Sequence, residues 1–328
     1  MLNKSSLHRT LPTAALSLFL ALAPLMGHAR APSAVDLPPV KPADARGAIV
    51  ISGSATVYSL TVKVGEQFKA DGFADKLNIE ATSTGKGIES FCKGEIDIAN
   101  ASRAMNADEV AACKGKDREP LAFKVGVDAV VIAVSRSNRF VDGLSKAQVE
   151  QIFGGKVKTW KELNPKWPAE KIIVHSPGTS HGTYDYLTEE LFKEAEPDAA
   201  ARKTIISGVP GVQLDDDINR LAKSVNKSNF AIGYFGYAFY AANRARLRVV
   251  TFEGVMANDK TVPANQYAMS RPLYLITSAK LLKEKPQVAM FVNYYLANVS
   301  KLATTAGYFP EPDKLLSDAK SAYLKALQ

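Results

Sequence analysis

Short apolar runs alternate with helical-period segments along most of the chain. Residues 48–52 (AIVIS) read as a strand running into Gly53-Ser54-Ala55-Thr56, and 57–70 sets Leu60, Val64 and Phe68 on one helical face. A strand at 77–81 and a helix at 85–93 follow. Residues 125–134 (VGVDAVVIAV) form a continuous apolar run, as expected of a strand buried on both faces. Ser145 with Gln148 gives a capping box for a helix at 146–153. A strand at 172–175 then leads through a Gly/Ser/Thr turn into a helix at 184–195. Beyond it come a helix at 215–225, strands at 230–234 and 273–277, and helices at 287–305 and 313–327. This alternation predicts an α/β fold with mostly parallel sheets, and 328 residues predict two domains rather than one.

The first 29 residues read as an address. Lys4 and Arg9 precede an apolar stretch at 14–26 and then Gly27-His28-Ala29, the plan of a secretory signal peptide cut after Ala29. The stretch is shorter than the roughly 20 residues a membrane span needs and contains Pro24. No Cys lies near the cut, which disfavours a lipoprotein. Residues 30–48 are Pro/Ala-rich and predict a flexible leader.

The net charge of +8 is spread without runs of like charge, so a solvated basic surface is expected rather than a nucleic-acid arm. Only Cys92 and Cys113 occur, and export places them where an even count favours a disulfide over two buried thiols or a metal pair. No metal and no cofactor are expected: zinc would need four ligands, and the four His are scattered.

Three segments share one design, in which a strand ends, small hydroxyl and Gly residues follow, and a helix begins. They are 53–56 (Ser54, Ala55, Thr56), 83–87 (Ser83, Thr84, Gly85) and 179–183 (Ser180, His181, Gly182, Thr183). Such turns aim unpaired backbone N–H groups and the positive helix end at one point, where an anion can sit. Each alone reads first as an ordinary N-cap, and only the three together point toward an anion-binding cleft. The patterns GxSxG, HExxH and GxxxxGK[ST] are missing, so an exported hydrolase is disfavoured. Asp215-Asp216-Asp217 reads as the acidic start of a helix. The aromatics at 234–240 read as packing rather than a stacking platform.

The succession GSATVYSL, TGKGIESFCKGEIDIANASRAM, VGVDAVVIAVS, IFGGKVKTW, GTSHGTYDYLTE, AIGYFGYAFY and YAMSRPLYLIT resembles the phosphate ABC transporter substrate-binding proteins, from about residue 49 to the C-terminal helix. The branch with a Cys in the FCxGExDIxNASR segment and a second about twenty residues later is the nearest, which supports the disulfide. The resemblance implies a two-lobed, type II periplasmic binding protein, each lobe a sheet flanked by helices, with crossing strands at 128–135 and 270–277. Lobe one would comprise 49–127 plus 271–328, and lobe two 128–270.

Carried over residue by residue, the resemblance implies that Thr56, then Thr84 with Gly85, hold an oxyanion. Ser102 and Arg103 form the next contact, with Ser102 where some members place an Asp. Arg103 either supplies charge or forms a structural pair. In the fourth turn His181 stands where members usually have Ser, and Pro177 and Gly178 stand where an Asp or Arg is frequent. Either His181 donates to the anion, or its ring turns away and Ser180 takes over.

The function so implied is capture of inorganic phosphate between the lobes and delivery to an ABC permease. The protein would be a periplasmic monomer that inserts in no membrane and catalyses no reaction. The alternatives are a receptor for another tetrahedral oxyanion, phosphonate or phosphate ester, and a secreted interaction or sensory protein on the same fold.

Overall fold

The computed structural model describes residues 35–179 and 181–328. The signal peptide, the first leader residues and Ser180 lie outside the described residues. The elements run β1 (Ile49–Ser54), α1 (Ala55–Ala70), β2 (Leu77–Thr82), α2 (Thr84–Lys93), β3 (Ile98–Ala101), α3 (Ala107–Lys114) and β4 (Leu121–Ser135). Next come β5 (Gly143–Leu144), α4 (Lys146–Phe153), α5 (Trp160–Leu163), β6 (Ile173–Pro177), α6 (Gly182–Phe192), α7 (Ala199–Ser207), β7 (Gln213–Asp215) and α8 (Ile218–Asn226). The rest is β8 (Ala231–Gly236), α9 (Tyr237–Ala242), β9 (Leu247–Val249), β10 (Thr251–Phe252), β11 (Ser270–Thr277), α10 (Ala279–Glu284), α11 (Pro286–Ala306) and α12 (Asp313–Leu327). The expected spans at 146–153 and 313–327 coincide with α4 and α12. The Ser145–Gln148 capping box is formed on both sides.

Fifteen residues of β4 organise the molecule. Leu121–Ala129 pair antiparallel with β11, and Val130–Ser135 pair with β8 and β9. One strand therefore belongs to two halves of a curled sheet ordered β2-β1-β3-β11-β4-β8-β6-β7. The pairing is mixed: β1–β2, β1–β3, β6–β7, β6–β8 and β5–β10 are parallel as expected, whereas every pair made by β4 or β11 is antiparallel. The βα alternation correctly gives parallel pairs within each half. It carries no information about two strands that return between halves from distant parts of the chain.

Each half buries its own core. One gathers Ile49, Ile51, Leu60, Phe68, Phe123, Leu273, Phe291 and Tyr295; the other gathers Val130–Val134, Trp160, Tyr184, Leu187, Leu221, Ile232 and Tyr234. Side chains on both faces of β4 from Val125 to Ser135 are buried, which is why the sequence there reads as unbroken apolar.

The described part of the leader departs from the flexible segment expected. Leu37 and Val40 pack on the first core, Ala45 is buried, and Asn293 donates to the Pro38 carbonyl from α11. Pro/Ala content lowers periodicity, but three apolar side chains suffice to dock the segment. The 234–240 aromatics pack as expected: Tyr234 is fully buried, and Phe235 stacks on Phe239 at 5.5 Å. Asp217 caps α8, accepting from the Asn219 and Arg220 N–H groups. Cys92 and Cys113 form a disulfide between α2 and α3. Among the described residues no helix is long and apolar enough to cross a membrane.

Candidate anion-binding cleft

The first turn depends on a glycine. Gly53 has φ +134°, a conformation essentially reserved for Gly, and a Cβ there would lie 2.2 Å from the Asn100 carbonyl oxygen. Its lack of a side chain lets β3 pair directly against it. Ser54 then turns the chain into α1 without capping it by its side chain, so the first-turn N–H groups of α1 stay open.

Turn two interlocks with turn one. A Cβ on Gly87 would sit 2.6 Å from Gly53 Cα, so α2 packs backbone to backbone against the end of β1. Ser83 caps α2, its Oγ accepting from Lys86 N–H at 3.2 Å. Thr84 Oγ1 accepts from Ser102 N–H at 3.1 Å and shares a proton with Ser102 Oγ at 3.1 Å, tying α2 to the end of β3.

Turn three arrives from the other half. His181 is the N-cap of α6, and its Nδ1 accepts from Thr183 N–H at 3.2 Å. A ring nitrogen that accepts carries no proton, and burial holds the His181 pKa below its usual 6.5, against the opposing pull of Asp216. The imidazole thus serves as a capping group and is neutral, taking the place of the hydroxyl usual at an N-cap. A Cβ on Gly182 would be 3.6 Å from Thr56 Oγ1 and 3.7 Å from Ala55 Cβ, so the starts of α1 and α6 face one another across the halves. Tyr308 holds turn one from behind, donating its hydroxyl to the Thr56 carbonyl at 2.8 Å.

A cavity of about 390 Å³ lies where these turns meet. Of the residues expected at the site, Ser54, Ala55, Thr56, Ser83, Thr84, Ser102, Arg103 and Gly182 all line it. Gly85, His181 and Thr183 stand just outside its lining within the same turns, and Ser180 is not described. A larger hollow of about 630 Å³, between α9 and the α11–α12 connection, is lined by aromatics and prolines together with Arg244, Asp259, Glu311 and Asp313, and receives none of the three turns. The converging amides and hydroxyls single out the smaller cavity.

Arg103 lines the cavity and forms an ion pair, as one of its two alternatives has it. Both its terminal nitrogens bond Glu109, at 2.8 Å each, and Glu109 in turn completes the capping box of α3. This bidentate pair raises the Arg103 pKa and holds the Glu109 carboxyl below its usual range.

Three participants went unseen in the sequence: Arg271 on β11, its partner Asp128 on β4, and Tyr186 on α6. Arg271 and Tyr186 line the cavity. Arg271 Nε and Nη2 both donate to Asp128 Oδ2, at 3.1 and 3.0 Å, and the guanidinium lies 4.2 Å from the centre of the Tyr186 ring. A usable signal was present. An Asp and an Arg each interrupt an apolar strand, and charges in doubly buried strands must pair.

Comparison with known proteins agrees with this geometry. Residues 39–299 match the PBP superfamily domain. A Staphylococcus aureus protein named phosphate-binding protein PstS is 36% identical over 276 residues, covering 83% of this chain and 80% of its own length. Among solved structures, a possible phosphate binding protein from Planctomyces limnophilus superposes with a TM-score of 0.74 at 28% identity, covering 87% of this chain and all of the other. An ABC-type phosphate transport receptor from Vibrio cholerae, at 19% identity and covering 80% of this chain and 99% of its own, shares the fold with a TM-score of 0.62. The fold is therefore that of the two-lobed periplasmic binding proteins, with β4 running through both halves of the sheet. The chain belongs to the PBP superfamily, within its family of PstS-type phosphate ABC transporter substrate-binding proteins.

Proposed function

We propose that the protein captures inorganic phosphate in the cleft between its lobes and delivers it to an ABC permease, acting as a binding protein rather than an enzyme. One observation carries the reading: helix starts from both halves, with the Thr56, Thr84 and Ser102 hydroxyls, converge on a single cavity. Oriented N–H and O–H dipoles replace the water shell of a multiply charged oxyanion without a full balancing charge. The names of the S. aureus and P. limnophilus proteins support phosphate as the oxyanion. Glu189 and Glu190 line the same cavity and add acceptors, which a protonated phosphate can use and sulfate cannot.

In this reading lobe one comprises 49–127 with 271–328 and lobe two 128–270, a division supported by the two cores. The chain is exported through a cleaved signal peptide and works in the periplasm as a monomer without a lipid anchor.

Titration calorimetry of the mature chain tests the function. Phosphate binds with a Kd of about 1 μM or tighter, equivalent to about −8 kcal/mol, and sulfate at least a hundredfold more weakly. Absence of phosphate binding refutes the proposal, and equal affinity for sulfate refutes the role of the acceptor carboxylates.

A further inference from the structure

We infer that Arg271, presented from the crossing strand β11 and fixed by Asp128 and the Tyr186 ring, is the charged side chain that contacts the bound oxyanion. The inference rests on the phosphate-binding reading and names the cation within it.

Three cationic residues line the cavity, and two are committed elsewhere. Arg103 gives both terminal nitrogens to Glu109, and Lys193, nearly half exposed, pairs with Glu190 at 3.5 Å. The segment just before turn three, Pro177-Gly178-Thr179, offers no charged side chain. Arg271 is paired too, but it is the buried one of the three: its side chain is 9% exposed, against 42% for Arg103 and 47% for Lys193.

Its geometry suits the task. The residue is 8% exposed, so its charge acts in a largely dewatered setting. Asp128 takes Nε and Nη2 through one oxygen, leaving Nη1 without a hydrogen-bond partner among the described residues. The Tyr186 ring, 4.2 Å away, fixes the plane of the guanidinium by cation–π stacking. Arg271 and Asp128 face one another in the β11–β4 register, so the pair stands on the strands that join the lobes, while Tyr186 comes from the α6 that starts at turn three. The arrangement holds a planar donor fork at the joint, where an anion gripped by both helix starts also meets it. The Asp128 carboxylate offsets part of the charge, which keeps the anion releasable.

The test is phosphate calorimetry on the mature chain with three variants, each also followed by thermal unfolding. Arg271→Gln alone strands a buried Asp128 and is uninformative if it unfolds, so the paired neutral replacement Arg271→Gln/Asp128→Asn is the principal variant. With unfolding close to wild type, it binds phosphate at least tenfold more weakly. Arg271→Lys keeps the charge but loses the fork, and falls between wild type and the paired variant. If either folded variant binds phosphate as tightly as wild type, Arg271 is an interlobe structural pair and the inference is overturned. If the wild-type chain itself fails to bind phosphate, the functional reading falls instead.

Discussion

Gly53→Ala probes whether backbone proximity builds the site. At φ +134° an L-residue is strained by about 1–3 kcal/mol. The new Cβ would stand 2.2 Å from a backbone oxygen of β3, which cannot swing aside as a side chain would. Overpacking of this kind costs about 1–3 kcal/mol, and the lost freedom of the unfolded chain returns up to about 1 kcal/mol. The net loss is about 1–6 kcal/mol. With an unfolding entropy of about 2.1 cal/mol/K per residue, roughly 290 described residues give about 0.6 kcal/mol/K, so Tm falls by about 2–10 °C. Because Gly87 of α2 abuts Gly53, the same displacement separates turn two from turn one. Losing one charge-assisted hydrogen bond, at about 1.5–3 kcal/mol, weakens phosphate binding by about 10- to 150-fold. Gly85→Ala is the stability control. Its Cβ would meet nothing nearer than Arg103 Nη2 at 4.0 Å, and Ala in a helical turn holds or raises Tm. Calorimetric unfolding and phosphate titration read both effects. A Gly53→Ala protein with wild-type Tm and wild-type affinity refutes the close-packed account of the turns.

Reducing or replacing the Cys92–Cys113 disulfide, whose ends are 21 positions apart, removes about 3 kcal/mol of chain-entropy stabilisation. Tm drops by about 5 °C in differential scanning calorimetry, and phosphate affinity stays within a few-fold; an unchanged Tm refutes the constraint. His175 and His181 are both held below the usual 6.5 by burial, so the unfolded chain binds more protons below about pH 7. Stability therefore falls as pH drops through 6.5 toward the native values, by at most about 1.4 kcal/mol per pH unit for each histidine. Glu311, pushed up by burial, acts in the opposite sense. Urea unfolding between pH 5.5 and 8 should accordingly show a shallower slope in a His175→Gln/His181→Gln variant, and an unaltered slope refutes the assignment.

Much of the fold was legible because its signals are local. Leu60, Val64 and Phe68 lie in the core as their spacing predicts, and the Ser145–Gln148 box starts α4 as read. The three strand–turn–helix segments were legible for the same reason: a strand end, small residues and a helix start are contiguous in sequence. What stayed hidden is non-local. Arg271 and Asp128 are 143 positions apart, and only the antiparallel register of β4 with β11 brings them together. His181 shows a different limit. Its position in the turn was readable, but its role as an N-cap acceptor depends on a rotamer and on burial, neither of which the sequence states. Arg103 left two options open because its partner Glu109, six residues on, serves equally well as a helix cap.

The facing of α1 and α6 also bears on how the lobes and the ligand are coupled. Each helix start carries a partial positive charge of about half a unit, concentrated in its first turn. Gly182 against Ala55 and Thr56 brings the two starts together, and the cavity beside them is dewatered enough to leave Arg271 mostly buried. With no anion between them, three positive centres repel one another, opposed by Asp128 at Arg271 and by the carboxylates of Asp185, Glu189 and Glu190 around the cavity. With a phosphate dianion between them, every one of those repulsions becomes an attraction to a shared centre. The anion therefore has a large differential affinity for the arrangement in which the lobes meet, the requirement for a ligand to shift a conformational equilibrium. A cleft built on a permanent full counter-charge would close whether or not it was occupied. One built on helix starts, hydroxyls and an arginine already paired with Asp128 gains most from drawing together when an anion lies between them.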